Sequence, residues 1–222
     1  MMDISILMLT HNAPKYVYKS ITTIKNITKT NIKYEILVVD NKSSLFTRCL
    51  LKYLKKKKYI DKLVFNTDNS LFAKGNNIAS SLSDKSTKYY LLLNSDIEVR
   101  NYDWLDKLLA IHPVEGGISS YGFVKSEPKR ADGYCMMIDK NLYDKYKLDE
   151  DFAWFWSITK IESLVLKEGK RIVSVMNHEK YIHHYGGKSG KGFENAAGMD
   201  IDIEEVKKWF TKGNVEMIDN ID

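Results

Sequence analysis

The sequence predicts an α/β protein: a mainly parallel central sheet flanked by helices. Three observations predict it. Apolar runs of strand length alternate with helical periodicities through residues 1–100, the rhythm of a parallel sheet covered on both faces. The run Tyr89-Tyr90-Leu91-Leu92-Leu93 passes straight into the polar Asn94-Ser95-Asp96. The earlier runs also stop at polar residues, Thr10 and Asn12 after the first and Asp40 after the second. In a parallel sheet these ends share one edge, where open α/β sheets bind ligands.

Residues 4–9 form the first strand, and Pro14 suits the first turn of the helix that follows. Tyr16, Val17, Ile21, Ile24 and Ile27 recur at helical spacing. Residues 34–39 read as strand, 45–54 as helix and 63–65 as strand. The segment Asp68-Asn69-Ser70-Leu71-Phe72-Ala73-Lys74-Gly75-Asn76-Asn77 opens a helix running through Ile78, Ala79 and Leu82. The 89–93 strand closes this half.

The second half has a different texture. Trp104, Leu105, Leu108 and Leu109 mark a helix ending near His112-Pro113, Gly116-Gly117 precedes a strand, and residues 133–138 form another. Residues 153–167 carry Trp154, Ile158, Ile161 and Val165 at helical spacing, with Gly169 as a C-terminal cap. Residues 171–175 and 181–184 read as short strands, and 200–210 as a final amphipathic helix. With no repeat or linker, residues 1–222 are expected to form one domain.

Composition narrows the function classes. Hydrophobic residues make up 44% and charged residues 28% of the 222, ordinary for a soluble globular domain. No apolar run approaches the ~20 residues a membrane helix needs, and the N-terminus enters a strand pattern without a signal peptide. Cys49 and Cys135 are too few for a disulfide framework and lack metal-site spacing, so a cytoplasmic location is expected. The net charge of +5 owes much to Lys52 and Lys55-Lys56-Lys57-Lys58. These lysines read either as a patch for anions or as the solvated end of a helix, where cations complement the dipole. No aromatic platform or recognition motif accompanies them, so no nucleic-acid partner and at most peripheral membrane contact are expected.

A carboxylate at a strand end supplies the oxygen ligand that hard cations such as Mg²⁺ or Mn²⁺ prefer, and such a cation suits a diphosphate. That chemistry points to a nucleotide-sugar enzyme. The segments Ile6-Leu7-Met8-Leu9-Thr10-His11-Asn12, Val38-Val39-Asp40-Asn41-Lys42-Ser43, Asn69 to Asn77 and Leu93-Asn94-Ser95-Asp96 follow in order. Later come Leu148-Asp149-Glu150-Asp151-Phe152 and His183-His184-Tyr185-Gly186-Gly187-Lys188-Ser189. In order and spacing these segments resemble the family 2 glycosyltransferases, which have the GT-A fold and use nucleotide-diphosphate sugars.

The resemblance implies a Rossmann-like nucleotide-binding half over 1–100, an acceptor-binding half over 101–190 and a C-terminal helical extension over 191–222. It assigns Asp40 to the base, accepting the N3–H of uracil or thymine, and Thr10 and Asn12 to the nucleoside pocket. Lys74 and Asn77 fall near base and phosphates. Asn94 and Asp96 stand for the family's Asp-x-Asp motif, with Asp96 on the cation and Asn94 closer to the ribose. His183 or His184 adds a nitrogen ligand, which favours Mn²⁺ over Mg²⁺.

One departure concerns the catalytic base. Inverting members keep an acidic pair where this chain has Ser157-Ile158, and Ile158 cannot take a proton. Glu162 lies one helical turn later on the same face, and Asp149, Glu150 and Asp151 precede the helix. Trp154, Phe155 and Trp156 offer an aromatic platform for an acceptor or pack in the core. Asp132-Gly133 either approaches the donor sugar or forms a simple turn. The expected activity is metal-dependent, inverting transfer of a hexose or deoxyhexose from a UDP- or dTDP-sugar to a glycan or glycoconjugate acceptor. The alternative is a catalytically weak or inactive sugar-nucleotide-binding domain. A nucleotidyltransferase also uses a metal and a parallel sheet, but Thr10-His11-Asn12-Ala13-Pro14 lacks its Gly-rich, basic signature.

Overall fold

The computed structural model describes residues 1–188 and 197–221. Ser189, the end of the late His-containing segment, lies outside the described residues, as does the start of the expected extension.

The first half alternates as expected: β1 (Ile4–Thr10), α1 (Pro14–Ile27), β2 (Tyr34–Asp40), α2 (Leu45–Lys56), β3 (Lys62–Phe65), α3 (Leu71–Ser81) and β4 (Tyr89–Leu93). Its strands pair in parallel, and Thr10 at the end of β1 lies beside Asp40 at the end of β2. The second half contributes β5 (Ile97–Val99), α4 (Trp104–Ala110), β6 (Gly117–Tyr121), β7 (Phe123–Val124), β8 (Arg130–Ala131), β9 (Cys135–Asp139) and α5 (Lys140–Tyr146). It continues with α6 (Trp156–Lys167), β10 (Arg171–Val175), β11 (Ile182–His184), α7 (Ile203–Trp209) and β12 (Glu216–Ile218).

The eight-stranded sheet runs β12-β10-β6-β9-β4-β1-β2-β3, and β9 alone runs antiparallel, to both β4 and β6. This reversal positions the site. Leu93 pairs with Cys135, so the residues before β9 arrive at the rim where β4 ends. A small two-stranded sheet of β5 and β11 carries His184 to the same rim, opposite Ile97.

Both sheet faces are buried. Ile4, Ile6 and Met8 point into one core with Val17, Ile21, Ile24 and Trp104, and Leu7 with Leu37, Val39 and Leu92 into the other with Ala73, Ile158 and Val165. Side chains alternate along a strand, so two cores require apolar residues at successive positions. Among the described residues, no helix is long and apolar enough to cross a membrane.

Several boundaries differ from expectation. The 133–138 strand starts at Cys135, leaving Gly133 in a turn, and the 153–167 helix starts at Trp156. Gly133 must stay small: a Cβ there would lie 2.9 Å from Ile158 on α6. Gly169 adopts φ +74° just past α6, where a left-handed residue ends a helix.

Candidate active site

The loops after β1 and β2 lock onto each other. The Asn41 backbone N–H donates to Thr10 O at 2.8 Å, and His11 Nδ1 meets Asn41 O at 2.6 Å. A carbonyl only accepts, so Nδ1 carries the hydrogen and Nε2 accepts from Asn12 Nδ2 at 3.1 Å. Asn12 is spent on this lock: its N–H donates to Ser43 Oγ and its Oδ1 accepts from the Ser44 N–H. Asp40 is buried beneath the loop, accepting from Thr10 Oγ1 at 3.3 Å and the Ser43 N–H at 3.2 Å, with Arg48 Nε at 3.8 Å. Asn41 Oδ1 accepts from Ser70 Oγ and Asn66 Nδ2, and its Nδ2 donates to Leu71 O, which ties the start of α3 to the same loop.

These loops wall one side of a cleft of about 460 Å³, the size of a small-molecule site. Thr10, His11, Asn41, Asn69, Leu71 and Phe72 line that side. Asn94, Ser95, Asp96 and His184 form its floor, and residues 130–134 with Trp154, Phe155, Ile158 and Thr159 form the opposite wall.

On the floor, His184 Nε2 lies 3.2 Å from Asp96 Oδ1 and 3.2 Å from Asn94 Nδ2. The His184 ring stacks on Tyr134 with centroids 4.4 Å apart and planes within 9°. Asp96 Oδ2 accepts from the Lys188 N–H at 3.1 Å. Burial pushes the Asp96 carboxyl up, but the hydrogen bonds from His184 and Lys188 outweigh it and hold the acid below its ordinary value. Asp96 is therefore an anion at neutral pH, with little of it open to water.

This donor set fits a divalent cation shared with a ligand. A carboxylate oxygen, an imidazole nitrogen and, after a half-turn of its amide, the Asn94 oxygen converge on one point. The described residues hold no group of three or more His, Cys, Asp or Glu able to bind a metal alone. Most of a cation's coordination would therefore come from ligand oxygens and water.

Other predicted residues lie elsewhere. His183 faces away from His184, as neighbours on a strand do, pairing with Glu179 Oε2 at 2.8 Å and Tyr185. Lys74 is exposed on α3 and does not line the cleft. Asn77 is used structurally: its Nδ2 donates to Leu148 O and Glu150 Oε1, and its Oδ1 accepts from Tyr143 OH and the Leu148 N–H. Asp149 pairs with Lys160, and Asp151 is exposed, so neither lines the cleft. Glu162 is sealed behind the wall. Its Oε2 accepts from the Ala131 N–H at 3.2 Å, and its Oε1 has no hydrogen-bond partner among the described residues. Burial holds this acid well above its ordinary value, so it is neutral and has no path to an acceptor.

The fold and site together describe an α/β protein with an open cleft at the strand ends. The chain belongs to glycosyl transferase family 2, whose family model matches residues 5–154. Solved structures share the fold. S. aureus TarS (residues 1–349, in complex with UDP) is 14% identical with a TM-score of 0.59, covering 74% of this chain and 55% of that one. The mannosyltransferase PcManGT from Pyrobaculum calidifontis, in complex with GDP-Man and Mn²⁺, is 15% identical with a TM-score of 0.63, covering 78% and 54%. GalNAc-T7 with UDP, GalNAc and Mn²⁺ is 15% identical with a TM-score of 0.60, covering 77% and 41%. This chain thus spans about half the length of those proteins or less. The comparison with curated proteins gave no match.

Proposed function

We propose that this chain is a divalent-metal-dependent glycosyltransferase. It would move a hexose or deoxyhexose from a UDP- or dTDP-sugar to a hydroxyl of a glycan or glycoconjugate, with inversion. The observation that carries the reading is the meeting of Asp96, His184 and Asn94 on the floor of a cleft whose other side is the β1–β2 loop pair. The solved relatives carrying UDP, or GDP-Man with Mn²⁺, support it.

The nucleoside rests against Thr10, His11 and Asn41, with Asp40 fixing the loop from below. Asp96 and His184 would be the residues that hold a divalent cation, Mn²⁺ or Mg²⁺. When bound, such a cation stabilises charge on the leaving nucleotide. Trp154 and Phe155 present aromatic surface to the acceptor side. The apolar Ile158 and the sealed Glu162 favour a second reading, a sugar-nucleotide-binding domain with little turnover.

Calorimetric titration of UDP with and without Mn²⁺, followed by UDP release from UDP-sugars, tests both. Mn²⁺-dependent binding with turnover is expected. Binding without turnover selects the second reading, and no binding of UDP or, in a parallel titration, of dTDP removes both.

A further inference from the structure

We propose that Asp132 is the group that takes the proton from the acceptor hydroxyl, an assignment that rests on the transferase reading above. Of the carboxylates in the second half, Asp132 is placed in the cleft wall, whereas Asp149, Asp151 and Glu162 are not. Its position has a structural cause. Ile158 on α6 packs directly on Gly133, so the wall beside the donor is apolar at the helix and carries its carboxylate on the adjoining turn. Asp132 is the residue next to that contact.

The turn is rigid, as a proton acceptor requires. The Asp132 N–H donates to Gly122 O at 2.8 Å, and its carbonyl accepts from Ser120 Oγ at 3.0 Å. One carboxylate oxygen, Oδ1, accepts from the Tyr134 N–H at 3.3 Å. Among the described residues no group donates to the other oxygen, which leaves it available to a ligand. Behind the turn, Glu162 anchors Ala131 through its N–H. The same strand carries Arg130, which also lines the cleft and whose guanidinium lies 5.4 Å from the Trp156 ring centroid. Trp154, Phe155 and Asp96 line the same cleft as this carboxylate.

In the step itself, the acceptor oxygen bonds to the anomeric carbon as the bond from that carbon to the diphosphate oxygen breaks. The electron pair leaves with the diphosphate, and the hydroxyl proton passes to the Asp132 carboxylate.

The test uses the full chain with Mn²⁺ and three probe donors, UDP-glucose, UDP-galactose and UDP-N-acetylglucosamine, with water as the acceptor. Asp132→Asn is expected to bind UDP with Mn²⁺ as the wild type does, which also reports its folding. Its UDP release should fall by roughly 10²–10⁴-fold. Azide carries no proton to remove, so adding it should restore release by Asp132→Asn at least about tenfold, whereas a merely structural role would leave both nucleophiles equally impaired. Release by Asp132→Asn within about threefold of wild type overturns the assignment, as does loss of release without azide rescue. A wild type that binds UDP but releases none from any of the three donors overturns the transferase reading itself, and this assignment with it.

Discussion

Asp96, in the turn between β4 and β5, and His184 on β11 are distant in sequence and meet on the cleft floor, so the proposed cation site rests on two side chains. Replacing Asp96 by Ala should weaken UDP binding in Mn²⁺ by roughly ten- to a hundredfold, about 1.4–2.7 kcal/mol, while binding in a chelator stays unchanged. Equal weakening in both conditions would mean that Asp96 supports the fold and not a cation. Glu162 calls for a different measurement. Its carboxyl is held well above the ordinary value by burial, so the folded chain keeps a proton that the unfolded chain releases from about pH 4.3 upward. The stability linked to that proton is full below the unfolded value and is lost as pH rises through the folded one. Urea midpoints should therefore decline from pH 5 to pH 8 in the wild type more steeply than in Glu162→Gln, and parallel curves would contradict the buried neutral acid. The place of Asp96 in the cleft was legible only from Leu93-Asn94-Ser95-Asp96 read together with the other segments in order, since a lone carboxylate after an apolar strand is as readily a turn residue. The burial of Glu162 was not, because Ser157, Thr159, Glu162 and Ser163 on α6 are all buried polar residues and make the helix look half-solvated. His11, Asn41 and Tyr134 line the cleft without having been singled out as site residues. Their roles depend on loop-to-loop hydrogen bonds and ring stacking, which no spacing announces.

Among the elements, α3 shows how a residue in a binding motif can serve packing instead. Asn77 satisfies both ends of its amide against Tyr143, Leu148 and Glu150, pinning the loop before α6 to the first half of the chain. Asn77→Ala strands the Leu148 N–H and carbonyl in a partly buried place, a loss of about 1–3 kcal/mol. Chemical unfolding should show that loss with UDP affinity changed less than about threefold, and a large affinity loss at unchanged stability would return Asn77 to the donor site. The strands of the first half were readable because burial on both faces gives them continuous apolar runs. The helix α5 was not: Leu142 and Tyr143 are its buried residues, too few for a periodic signal among Lys140, Asp144 and Lys145. The strand β12 sits at the sheet edge with Glu216 and Met217 exposed, so its pattern resembles a loop. The two-residue strands β7 and β8 are shorter than any periodicity can detect, yet β8 leads directly to Asp132.

Across the whole molecule, the cleft draws its walls from both halves of the chain, and on the proposed reading this arrangement would make cation and nucleotide binding interdependent. The protein offers a cation only Asp96, His184 and the Asn94 amide, with no third His, Cys, Asp or Glu among the described residues to complete a site. Mn²⁺ alone should therefore bind weakly, and UDP alone lacks a counter-charge for its diphosphate on the cleft floor, where Asp96 is itself an anion. Each should bind tightly only with the other. Linkage requires the factor by which Mn²⁺ raises UDP affinity to equal the factor by which UDP raises Mn²⁺ affinity, so two calorimetric titrations over-determine the coupling. The pair should also brace the fold, because β11 brings His184 to the floor through a two-stranded sheet with β5 alone. At a hundred times the dissociation constant the complex gains about 2.7 kcal/mol. For a chain of this length that corresponds to a rise in Tm of roughly 5–11 °C, expected with UDP and Mn²⁺ together and largely absent with either alone. An equal rise with UDP in the presence of a chelator would separate the nucleotide from the cation and leave Asp96 and His184 as a structural pair.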